Sequence, residues 1–170
     1  ATRSIKVASN ATLSGEIVRS IGPFTNTGPI PPRAEQQTTY TVIWTIYNTS
    51  SNISGAKVVG TLPPYVKWIG KVSPSSEDIK YNSVNGQITW NIGSVGAYTG
   101  SGATKKEVAF QVVLEPSITQ VGQTLTLVNE AVLTAVDDFT GINLKSTQSP
   151  ETTSLGTDPA FKNGDETVTK

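Results

Sequence analysis

Cysteine, histidine and methionine are all absent from this chain of 170 residues. Lack of cysteine excludes a disulfide framework, a thiolate nucleophile and a cysteine-ligated metal. Lack of histidine removes the commonest general base and the commonest transition-metal ligand. Charge of one sign is lacking too: 13 basic residues balance 13 acidic ones, and Lys105-Lys106 is the only adjacent basic pair. Neither nucleic acid nor an anionic membrane surface would find an electrostatic footprint here. Long apolar runs are missing, so neither a transmembrane helix nor a signal peptide is expected. The start at Ala1, without an initiator methionine, suits a processed or excised segment.

What remains is rich in Thr, Val, Ser, Asn and Gly, a composition that favours strands and turns over helices. Period-two alternation recurs along the chain. In TTYTVIWTIYN, Tyr40, Val42, Trp44 and Ile46 share one face, with Thr39, Thr41 and Thr45 on the other. QITWNIG alternates Ile88, Trp90 and Ile92, and EVAFQVVLEP alternates Val108, Phe110, Val112 and Leu114. In TLTLVNEAVLTAV, Leu125, Leu127, Ala131 and Leu133 fall together. Gly, Pro, Asn or Ser clusters bound each run, and Asn85-Gly86 marks a hairpin. Many short strands, each burying one face, predict an all-β antiparallel sandwich or barrel.

The chain divides into four parts. Residues 1–21 hold strand-like runs or an arm, and residues 22–37 form a crossover. Pro23, Pro29, Pro31 and Pro32 bar that crossover from the interior of a sheet. Residues 38–155 carry the sandwich. Residues 156–170 are polar, with isolated Phe161 and Val168, and are expected to form a loose tail.

Four motifs then occur in a telling order. They are Tyr40 to Asn48, Leu62-Pro63, Thr89 to Ile92, and Asn129 to Ala131. Together they resemble the conserved surface-repeat family first catalogued as domain of unknown function eleven. The flanking GPIPPRAEQQTTY and TDPAFKNGD look like carboxy-terminal modules of large surface proteins of uncultured small-genome bacteria. Gly60 stands where that family usually carries an aspartate before the Leu-Pro turn. The resemblance implies an immunoglobulin-like sandwich with extended amino- and carboxy-terminal arms. It also implies an extracellular, cell-surface structural or adhesive module with no reaction and no cofactor.

Chemistry has few candidates. Asp137-Asp138 and Glu77-Asp78 are carboxylate pairs that could hold calcium, but no EF-hand or nonapeptide spacing surrounds them. Immunoglobulin-like surface modules can carry a Lys–Asn isopeptide bond, for which Asn129 with Lys6 or Lys57 is the candidate set. Its alternative is a buried Asn129 amide bonded to a neighbouring loop. Asn10, Asn48 and Asn52 begin glycosylation sequons. No Gly-x-Ser-x-Gly elbow exists, and the loop at residues 96–106 is too irregular for a phosphate cradle.

The expected work is therefore mechanical: a subunit of a fibre, pilus-like filament or surface layer, assembling as a homo-oligomer through strand edges. Ile5 and Val7 alternate with polar neighbours as a donated strand requires, or else begin the chain's own sandwich. An adhesin-type module is the second reading, binding carbohydrate or protein through Tyr65, Trp68 and Tyr98. Pro63-Pro64 should end a strand there, leaving Tyr65 and Trp68 to cap the sandwich.

Overall fold

The computed structural model describes residues 2–100 and 104–170. Eleven strands occur among them: β1 (Ala11–Val18), β2 (Thr38–Asn48), β3 (Ile53–Thr61), β4 (Val66–Ser73), β5 (Asp78–Asn82), β6 (Gln87–Val95), β7 (Lys106–Leu114), β8 (Thr126–Val128), β9 (Ala131–Asp137), β10 (Asn143–Gln148) and β11 (Glu151–Thr152). One sheet has the order β1-β2-β7-β4, the other β10-β9-β3-β6-β5, and β11 pairs with β8. Every ladder is antiparallel. The fold is an immunoglobulin-like sandwich. No helix is long and apolar enough to cross a membrane among the described residues.

Alternation builds the core as the sequence suggests. Tyr40, Val42, Trp44 and Ile46 of β2 meet Val108, Phe110, Val112 and Leu114 of β7, all fully buried. Ile88 and Trp90 of β6 close the same cluster from the second sheet. Trp44 and Phe110 stand edge to face, 5.0 Å between ring centres. Gly60 answers to this packing: a β-carbon there would lie 3.2 Å from the Trp44 ring and 3.3 Å from Ala131.

Two elements depart from the sequence pattern. The polar face of β2 is not solvated, since Thr41 and Thr45 are buried, as is Gln111 on β7. The crossover at residues 22–37 lies over that face and uses its polar groups. Gln111 donates to the Thr25 carbonyl and to Asn26, Asn26 donates to Thr41, and Phe24 packs on Val18, Ile43 and Ala109.

The tail is not a loose arm. Val168 is buried in the core, and Thr169 exchanges backbone hydrogen bonds with Pro32 and Ala34 of the crossover. On its other side, Val168 pairs with Gln123 and Gly122. Burial alone would raise the Asp158 carboxyl. Hydrogen bonds from the Ser20 hydroxyl and from the Ser20, Arg19 and Ala160 amides prevail and hold it at about 2. Val168, Phe161 packed against the core, and the Asp158 carboxylate thus fix a segment whose composition reads as solvent-loving.

Residues 4–9 form no strand, so the strand-like run SIKVAS does not begin the chain's own sandwich; β1 starts at Ala11.

Trp90→Ala should cost about 3 to 5 kcal/mol by denaturant unfolding, as a large-to-small change in a close-packed core. Asp158→Ala strands several amides and should cost about 1 to 3 kcal/mol, with faster proteolysis within residues 156–170.

Candidate assembly site at the amino-terminal arm

Both ends of β2 locate the candidate residues. Its start, at Thr38, lies beside Leu114 and Val66; its end, at Asn48, lies beside Ala11 and the loop at Gly96. Tyr65 and Trp68 belong to the first end and Tyr98 to the second, so no single ligand surface unites them. Tyr65 is half-buried against the core, and its carbonyl accepts the Glu115 amide. Trp68 bridges the sheets at their open side, stacked on Tyr81 of β5 with 5.7 Å between ring centres and packed on Phe110. The Pro63-Pro64 stretch is a corner: the Val66 amide closes a turn on the Pro63 carbonyl. Tyr98 is 68% exposed and, with Tyr47, Thr49 and Thr99, lines a shallow hollow.

The second end also holds the arm. Asp137, the last residue of β9, has no exposed surface, and its carboxylate is fully engaged. Oδ2 accepts the Ser9 amide at 2.6 Å and the Ser51 hydroxyl at 2.5 Å; Oδ1 accepts the amides of Phe139 and Thr140. These bonds, the Ser51 hydroxyl foremost, keep the carboxyl far below the usual carboxylate range. The Ser9 hydroxyl in turn donates to Asn48, whose amide group donates to the Ser51 and Gly96 carbonyls. Three loops and the arm converge on two side chains. Beyond Ser9 the chain runs out with Ile5 87% and Val7 70% exposed, beside Ser50, Ser51 and Phe139. Lys6 lies over the Phe139 ring, 5.0 Å from its centre.

Several sequence candidates separate in this geometry. Asp137 is not a solvated acid awaiting calcium, because protein donors occupy its oxygens; Asp138 accepts from Ser54. No cluster of three metal-ligating side chains occurs among the described residues. Asn129 does not meet a lysine: its amide reaches the Thr61 hydroxyl, while Lys6 sits by Phe139 and Lys57 points outward. The isopeptide set is therefore not assembled. Of the sequon residues, Asn48 is buried in the clamp and Asn52 accepts the Ala97 amide, whereas Asn10 is exposed.

One buried acid gave no sequence signal, because neither neighbour in PET repeats or alternates. Glu151, on β11, is 8% exposed and lies under Gly15 of β1, where an added β-carbon would fall 2.8 Å from the carboxyl carbon. The Trp44 indole donates to Oε2 at 3.3 Å, and Oε1 has no partner among the described residues. Burial pushes this carboxyl up to about 7; the indole opposes that rise and Glu16 adds to it. A buried acid with one donor and one orphan oxygen favours its neutral form.

No family model matches the chain, and no curated protein matches it. Solved structures do. A variant of BcpA, the major pilin subunit of Bacillus cereus, superposes with a TM-score of 0.50 at 12% identity, over 84% of this chain and 40% of that one. A carboxy-terminal fragment of the major pilin GBS80 of Streptococcus agalactiae gives 0.49 at 8% identity, over 85% and 56%. The GH20 exo-β-N-acetylglucosaminidase of Vibrio harveyi gives 0.43 at 10% identity, over 82% and 18%. The chain thus spans well under two thirds of each, and what it shares with the BcpA pilin is the fold.

Because the folded-state pKa of Glu151 is raised, its contribution to stability is complete below the unfolded value near 4.5 and is lost as pH rises through about 7. The melting temperature should fall between pH 5 and pH 8, a loss of about 3 kcal/mol at most. Glu151→Gln should flatten that window in a pH series of thermal melts.

Proposed function

We propose that this chain is a non-catalytic structural module of the cell surface, a subunit of a pilus-like filament, fibre or surface layer that joins to its neighbour by donating residues 4–8 as a β-strand. The observation that carries this is the arm. It is anchored at Ser9 to the Asp137–Asn48 corner of the sandwich, yet exposes Ile5 and Val7 at every-other spacing. Burying two aliphatic side chains stabilises an association by about 1.5 to 3 kcal/mol each, in addition to the backbone ladder. A fold shared with a major pilin subunit supports the reading, as does the order of motifs resembling the surface-repeat family.

Head-to-tail donation is a heterologous contact that does not close, and it generates a filament. The alternative is an adhesin-type module. Its supporting observation is the pair Tyr47 and Tyr98, 43% and 68% exposed, around a hollow suited to stacking against a sugar ring.

Deleting residues 2–7 leaves the Ser9 amide in place and so should spare the fold. Under negative stain the intact protein should form regular fibres and the deleted one should stay monomeric with an unchanged melting temperature. Fibres from the deleted protein would refute donation; a monomeric intact protein that binds a glycan array through Tyr98 would favour the adhesin.

A further inference from the structure

The two larger sheets have four strand edges: β1 and β4 in one, β10 and β5 in the other. Exposed edges carry unpaired backbone groups and are the natural receptors of an added strand. Three of the four are already managed. The edges of β1 and β10 face each other and are laced: the Leu13 amide donates to the Ser146 hydroxyl and the Gly15 amide to the Gln148 side chain. The β4 edge is broken by an irregularity between Trp68 and Val72, where Gly70 takes a φ of +84°. It also carries Lys67 and Lys71, which would oppose an arm bearing Arg3 and Lys6.

β5 is neither laced to another edge nor broken, and its one lysine, Lys80, is paired with Asp78 at 3.5 Å. It pairs with β6 in unbroken register, from Asp78 opposite Asn91 to Asn82 opposite Gln87. Its five residues match the length of the run Ser4–Ala8. Asp78, Lys80 and Asn82 point outward, and Ile79 and Tyr81 inward, half-buried beside Trp68.

Position is the stronger argument. Asn82 lies at the Gln87 end of β6, whereas the arm departs from the Val95 end, where Asn48 and Asp137 meet. The receptor thus covers the half of β6 away from the arm, from Gln87 to Asn91, as a head-to-tail repeat allows. A short, clean edge placed distal to an anchored, apolar arm fits a second copy of this chain.

We propose that residues 4–8 of one copy add to the outer edge of β5 in the next. Ile5 and Val7 would extend the layer formed by Ile79, Tyr81 and Trp68, and Lys6 would lie opposite Lys80, whose charge the neighbouring Asp78 offsets. This inference rests on the assembly reading above and specifies its receptor.

The absence of native cysteine makes the test clean. A copy with Lys6→Cys is mixed with a copy carrying Lys80→Cys or, on β4, Lys71→Cys, then oxidised under fibre-forming conditions. Peptide mapping should show disulfides from position 6 to a β5 position at least about fivefold above those to position 71. Fibres that form without a β5 link, or that link to position 71 instead, would overturn the receptor while leaving arm donation intact. If wild-type protein forms no fibres and no mixture cross-links, the assembly reading itself fails.

Discussion

The carboxylate of Asp137 is the constraint on which the functional end of this molecule depends. It sits where β9 ends, without exposed surface, and takes hydrogen bonds from four donors on three segments of chain. Charge-assisted hydrogen bonds from backbone amides are among the stronger polar interactions available. Here they replace the water that a buried carboxylate would otherwise demand. The consequence is mechanical: the arm is attached, at Ser9, to three loops at once rather than to the end of a single strand. Pulling on residues 2–8 would load Asn48 on β2 and Asp137 on β9, which lie in different sheets. Such a load would be shared between the two sheets.

The core was readable because alternation is dictated by pleat geometry alone. Trp44, Trp90 and Phe110 face inward for that reason, with no need of tertiary information. The second face of β2 was not readable in the same way. Thr41 and Gln111 look solvent-facing until Asn26 and Thr25, remote in sequence, take their hydrogen bonds. Prolines in the crossover announce that it cannot join a sheet, but not that it will lie across one. The tail misled for a related reason. Its polar residues serve as hydrogen-bonding partners to buried backbone, which composition cannot distinguish from solvation.

The candidate site divides along similar lines. Ile5 and Val7 stood out because their spacing is local. The clamp that gives them meaning joins Ser9 to residues 39 and 128 positions away, and no pattern in one strand reports that. Trp68 was legible as a corner aromatic, yet its role as the bridge between β4 and β5 depends on Tyr81 meeting it from the other sheet.

Glu151 shows the other side of the same economy. The glycine at position 15 makes room for a carboxyl that one indole satisfies only in part. An apolar residue of similar volume would pack there without the desolvation cost, so the acid does not serve stability at neutral pH. Its position is nonetheless informative: it ties β11 to Trp44 at the centre of β2, and it couples that tie to pH. The arm's anchor carries the opposite bias. Asp137 stays ionised well into acid, so the clamp persists over the range in which Glu151 changes state. Acidification through neutrality would therefore firm the body of the sandwich without releasing the arm. The arm's anchor is held constant while the scaffold behind it changes state.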